Sequence, residues 1–133
     1  MKLEGRSIRI ALVAAALAAA TAPALADRKT SDEYVRDGRR LLEKGDVRSA
    51  VIKLKNAVSE DTTNLDARLA LGLAQLKAGD LLSAEKELGI YVERSDNDSA
   101  GVLAYGEALL QLRRFQDVLD KLVPKSRARE IEA

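Results

Sequence analysis

From Ser31 to Leu122 the apolar residues recur at three- and four-residue spacings, the period of helices with one buried face. Val47, Ala50, Val51, Leu54, Ala57 and Val58 form one such stripe, and Leu81, Ala84, Leu88, Tyr91 and Val92 form another. Short polar runs interrupt the stripes and carry stop and start chemistry. Gly45-Asp46 and Gly79-Asp80 each join a residue that tolerates the left-handed conformation to one whose carboxylate caps the next helix. Thr30 and Glu33 have the spacing of a capping box, and Asn64 follows the turn Asp61-Thr62-Thr63 as a natural cap. The pattern predicts helices over about 31–44, 47–60, 65–78, 81–94 and 99–112. A sixth carries Phe115, Val118, Leu119 and Leu122 and is stopped by Pro124.

The stripes repeat. Gly45-Asp46-Val47-Arg48-Ser49-Ala50 returns as Gly79-Asp80-Leu81-Leu82-Ser83-Ala84, 34 residues later. Gly38, Gly72 and Gly106 keep that offset, as do Leu42, Leu76 and Leu110, and Leu54, Leu88 and Leu122. A constant period of this length is the signature of stacked helix-turn-helix units. The three glycines fall in mid-helix, where Gly costs up to about 1 kcal/mol relative to Ala. Paying that penalty at one register three times implies a helix contact too close for a Cβ. The expected fold is all-α, a right-handed α-solenoid of three units over 31–64, 65–98 and 99–124. Residues 125–133 are expected to be a tail or a partial capping helix through Ala128 and Ile131. Without such a cap, Leu119 and Leu122 stay partly exposed and favour a homo-oligomer.

Length changes this picture little, since 133 residues suit one domain. The first 26 residues change it more. Lys2, Arg6 and Arg9 precede an apolar run from Ile10 to Ala20, and Ala24-Leu25-Ala26 has the small-x-small form of a processing site. The segment from Ile10 to Ala26 is mostly Ala, holds Pro23 and is short for a span of about 20 apolar residues. A signal peptide cut between Ala26 and Asp27 is expected, with an exported, periplasmic product and no stable membrane span.

Of the 22 basic and 21 acidic residues, three and one lie in that leader, which leaves 19 and 20 and a net charge of −1. No basic footprint for nucleic acid exists. With neither Cys nor His, the chain lacks the usual zinc ligands, thiol nucleophile and imidazole base. Ser49 and Ser83 have no His partner, and the acidic pairs Asp32/Glu33 and Glu85/Glu87 sit on helix surfaces among lysines and arginines. No enzyme activity, cofactor or metal is expected.

At these positions the chain resembles the tetratricopeptide-repeat family. Counting from Ser31, Leu65 and Ser99, the family's small eighth residue is Gly38, Gly72 and Gly106. Its twentieth is Ala50, Ala84 and Val118, and its twenty-fourth Leu54, Leu88 and Leu122. Asp37, Gln75 and Tyr91 depart from the pattern. The resemblance implies a non-catalytic scaffold whose first helices line a groove for a protein or peptide. Carried over by position, that groove holds Val35 and Arg39, then Leu69, Leu73, Leu76 and Lys77, then Leu103, Glu107 and Gln111. Its floor is apolar on this reading, although Leu42, Leu76 and Leu110 serve equally well to pack neighbouring units. The carboxylate grip of chaperone adaptors is disfavoured, since only Arg39 and Lys77 are basic there. More narrowly, Leu41 to Asp46, Ala50 to Ala57, Ala84 to Leu88 and Phe115 to Asp120 resemble the N-terminal repeats of the exported PEP-CTERM/exosortase-system repeat protein. That likeness implies a link to exopolysaccharide export or protein sorting. The alternative is a structural module that self-associates or forms the N-terminal part of a longer assembly protein.

Overall fold

The computed structural model describes residues 27–96 and 98–122. The expected leader, Pro124 and the tail over 125–133 lie outside the described residues. Those described form six helices and no strand. They are α1 over 27–43, α2 Val47–Glu60, α3 Leu65–Ala78, α4 Leu81–Arg94, α5 Ser99–Gln111 and α6 over 115–122. From α2 to α5 each packs on the next, and α3 also touches α5; α1 meets α2 through Gly38 and Leu54, and α5 meets α6 through Gly106 and Leu122. An all-helical chain stacked in this way is consistent with the expected solenoid.

The boundaries follow from local chemistry. Asp46, Asn64, Asp80 and Asp98 each accept a hydrogen bond from the backbone N–H three residues on, at 3.1, 3.1, 3.3 and 3.3 Å. Each cap is worth about 1 kcal/mol. The hydrogen bond from Ser49 holds the Asp46 carboxyl below the usual carboxylate range, as the Thr63 hydroxyl does for Asp61. At the other ends, Gly45 and Gly79 take φ of +80° and +79°. Asp80 N–H then reaches Gln75 O at 2.9 Å and Gly79 N–H reaches Leu76 O at 3.0 Å, closing a Schellman motif. Arg113 and Arg114 make the same two bonds to Leu110 and Leu109, with Arg113 forced to φ +58°. That conformation costs a non-glycine residue about 1 kcal/mol.

One boundary differs from expectation. Thr30 does not begin a helix, because α1 is already helical at 27. The residue beside it works across the fold instead. Buried Ser31 donates from its hydroxyl to Ala57 O at 2.8 Å and so ties α1 to α2. A capping signal read along the chain contains no trace of that bond.

The recurring glycines are where paired helices touch. A Cβ on Gly38 would lie 2.5 Å from Leu54 Cγ, and one on Gly72 would lie 2.5 Å from Leu88 Cγ. At Gly106 the nearest atom is Leu122 Cδ1, at 3.1 Å. Around these contacts sit two apolar clusters. One holds Val35, Leu54 and Ala57 with Ala67, Ala70, Leu71 and Ala74 of α3. The other holds Leu88, Tyr91 and Val92 with Ala104, Tyr105, Ala108, Leu109 and Leu122.

The second junction differs by a volume exchange. Tyr91 stands where Ala57 stands one period earlier, and Gly101 stands where Ala67 does. A Cβ on Gly101 would fall 2.2 Å from Tyr91 Cε1, so the glycine makes room for the ring. Burial, then its hydrogen bond to Asp98, pushes the Tyr91 hydroxyl's pKa up, and that hydroxyl donates to Asp98 at 3.1 Å.

The glycine contacts predict opposite outcomes for one kind of substitution. Gly72→Ala gains about 1 kcal/mol of helix propensity but drives a methyl into fully buried Leu88, a clash of about 1–3 kcal/mol. Urea denaturation followed by circular dichroism should show a net loss for Gly72→Ala. Gly106→Ala, which meets only a terminal methyl at 3.1 Å, should be neutral or slightly stabilising. Equal losses at both positions would contradict this account.

Candidate functional site

The face expected to bind a partner runs across α1, α3 and α5. Its nine candidate residues divide into two groups. Val35 is 2 % exposed and belongs to the first apolar cluster, so it offers a partner no surface. Leu69 and Leu76 are half-buried and pack against the second cluster, which includes α5. Leu103, one period beyond Leu69 and two beyond Val35, is 75 % exposed. Val35, Leu69 and Leu76 therefore pack one helix pair on the next, so the apolar floor expected at those positions does not form, while Leu103 at the same register as Val35 and Leu69 is exposed. The floor is consumed wherever a following pair exists.

The remaining candidates do face outward. Arg39, Leu73 and Glu107 share one register, and Lys77 and Gln111 another with Glu43; all six are exposed. Asp32, Asp66 and Ala100, at the second position of each period, are exposed as well. The outward row is thus polar, with Leu73 its one large apolar residue, 44 % exposed. Four carboxylates (Asp32, Glu43, Asp66 and Glu107) stand against two cations, Arg39 and Lys77.

Several of these side chains are held in place. Arg39 on α1 forms an ion pair with Asp66 on α3. Glu107 accepts from Gln111 one turn along, at 3.0 Å. Asn64 is the hub between α1 and α3. Its Oδ1 caps α3, while its Nδ2 donates to Ser31 Oγ at 3.0 Å and to Asp32 Oδ1 at 2.8 Å. Sequence reading identified the cap and missed the two long-range bonds; nothing local in the sequence signals them.

Glu85 and Glu87 have structural employment. Arg68 binds Glu87 at 2.7 Å in a nearly buried pair, and also donates to Thr62 O at 2.9 Å. Glu85 pairs with Arg114 at 3.1 Å and accepts from the Tyr105 hydroxyl at 3.5 Å. Among the described residues no group of three or more His, Cys, Asp or Glu could hold a metal ion, and no helix is long and apolar enough to cross a membrane.

The Asn64 hub predicts a graded effect on stability. Ser31→Ala, which loses its bonds to Ala57 O and Asn64, should cost about 2 kcal/mol, and Asn64→Ala, which loses the cap and its bonds to Ser31 and Asp32, about 3 kcal/mol. Asn64→Asp keeps the cap acceptor but sets a second carboxylate beside Asp32 and should not restore stability. Chemical denaturation of the three variants checks the order.

No curated protein matches the chain. Residues 41–102, from the end of α1 into α5, match the tetratricopeptide repeat family, whose members serve in general as non-catalytic protein–protein interaction modules. That match, together with an all-helical stack whose pairs meet glycine on leucine, supports a tetratricopeptide-repeat protein.

Proposed function

We propose that this chain is an exported interaction scaffold of the cell envelope that binds a polypeptide along the outward row of α1, α3 and α5. The observation carrying this reading is the exposed Leu73, flanked by Arg39, Lys77, Glu107 and Gln111 and by an excess of carboxylates. Such a surface suits a basic segment with one apolar anchor residue better than a wholly apolar helix. Affinity then comes from one desolvated side chain, and the charges set orientation and rate. The link to exopolysaccharide export or protein sorting rests on the residue combinations around Leu41 to Asp46 and Phe115 to Asp120. A polysaccharide-export cluster beside the gene would support it.

Binding of this kind responds to salt and to the anchor. A partner captured from envelope extract at low ionic strength should be released by raising the salt to about 0.5 M, because exposed charges beyond a Debye length are screened. Leu73→Glu should abolish capture, and Asp66→Lys should weaken it several-fold. Retention of the same partner by both variants would defeat the reading.

Export has its own test. The leader predicts that the chain recovered from the periplasm begins at Asp27, which intact-mass spectrometry reads directly. A cytoplasmic product that retains residues 1–26 would remove the envelope from the proposal.

A further inference from the structure

Gln75 is a residue that the repeat does not explain. One period earlier and one period later its register carries Leu41 and Leu109. Gln75 is 2 % exposed, yet among the described residues no donor reaches its Oε1. A buried acceptor without a donor is costly, and leucine at this position would avoid that cost. Gln75 lines a cleft of about 440 Å³ between α2 and α4. It follows Leu73 by two residues, about 200° around α3, so the cleft lies away from the outward row.

A second departure opens this cleft. One period later, between α4 and α6, the corresponding space is filled by Tyr105. A Cβ on Gly89 would lie 3.4 Å from the Tyr105 ring. The Tyr105 hydroxyl accepts from Lys121 Nζ at 3.2 Å and donates to Glu85 at 3.5 Å. Between α2 and α4, Leu71 takes the register of Tyr105, and Lys55 takes that of Gly89. A shorter apolar side chain and a long cation thus replace the phenol. The walls carry Lys55 and Ser59 from α2, and Ser83 and Lys86 from α4. Among the described residues neither lysine has an ion pair. The acid on the lining, Glu87, is held by Arg68 at 2.7 Å, so the uncompensated charge there is positive.

We propose that this cleft binds a small hydroxylated organic anion. Its carboxylate or phosphate lies between Lys55 and Lys86, and one of its hydroxyls donates to Gln75 Oε1. The terminal amide torsion of glutamine is broad, which lets the Oε1 turn onto that hydroxyl. The volume falls within the range of small-molecule sites, roughly 300–1,000 Å³. Exposed lysines attract an anion but hold it weakly by themselves. The buried amide supplies the selectivity, because a ligand with no donor leaves the acceptor unpaired.

The test titrates the full, isotope-labelled chain with gluconate, glucose 6-phosphate, uncharged glucose and acetate, which has no hydroxyl. Nuclear magnetic resonance should show gluconate or glucose 6-phosphate shifting the Gln75 side-chain amide, at least tenfold more tightly than glucose or acetate. Whichever of the two binds more tightly identifies the anionic group, and either supports the proposal. Gln75→Leu should weaken binding at least tenfold while raising the urea midpoint. Lys55→Ala with Lys86→Ala should weaken it at least tenfold with unchanged circular dichroism, since both side chains are exposed. Leu73→Glu should leave binding unchanged, which separates this site from the outward row. No shift of the Gln75 amide by any probe at millimolar concentration overturns the proposal. Equal binding of acetate or glucose does so too, as does full affinity in Gln75→Leu. A lowered urea midpoint in Gln75→Leu would show the amide to be satisfied within the fold, and also overturns it.

Discussion

Everything in this fold depends on how closely two helices of a pair approach, and that distance is set by a missing methyl group. Gly38 and Gly72 put bare Cα atoms against Leu54 and Leu88, at separations where a Cβ would collide with the leucine at 2.5 Å. Leu54 and Leu88 are completely buried as a result. Close approach then allows alanines at the flanking positions to exclude water, so Ala50, Ala57, Ala67, Ala74 and Ala84 have no accessible surface. A core of this kind is thin. It gains from many short-range dispersion contacts rather than from large side chains, and that makes it sensitive to single atoms. The Tyr91–Gly101 exchange shows the same sensitivity: volume added on α4 is removed from α5 at the one place where the ring lands.

Much of this was legible in the sequence because the determinants are local or strictly periodic. The bounds of α2, α3 and α4 match expectation, since Asp46, Asn64 and Asp80 cap within three residues and Gly45 and Gly79 stop helices by conformation alone. The role of the mid-helix glycines could be read from their spacing. Two things could not. The start of α1 was misplaced because Thr30 and Glu33 satisfy a local rule that the helix does not use. The outward face was also misjudged. Positions bearing Val35, Leu69 and Leu76 look identical to Leu73 in an apolar pattern, and only the third dimension separates a leucine under the next helix from one beside it. A usable signal did exist in the run of small residues at Ala67, Ala70 and Ala74, which marks where the preceding pair must land.

That distinction alters the functional argument. An apolar floor would point to an amphipathic helix lying along the groove, with affinity drawn from buried area. With the leucines committed to stacking, the outward row keeps one apolar anchor and a surplus of carboxylates. Its charges are also partly engaged, Arg39 with Asp66, Glu107 with the Gln111 amide and Asp32 with the Asn64 amide. Pre-ordered side chains of this sort lose little entropy when a partner arrives, but exposed ion pairs add little energy by themselves. Such a face favours selective, fast and salt-sensitive association over tight association.

The asymmetry of the two ends follows from the same physics. In a stack, each pair presents an outgoing apolar face and an incoming small-residue face, so an isolated stack must deal with one of each. Placing charge on the incoming face needs only four substitutions along α1, because nothing precedes it among the described residues and Glu33, Arg36 and Arg40 stay hydrated. The outgoing face is harder to neutralise. Leu122 must remain apolar to fill the space over Gly106, and Val118 belongs to the partly buried rim of the same cluster. Leu103, Leu110 and Leu119 are under no such demand from within the described fold, and yet they are leucines. Lysine or glutamate at those three positions would be compatible with every internal contact described for α5 and α6. Their apolar character is therefore not required by any contact described within α5 and α6.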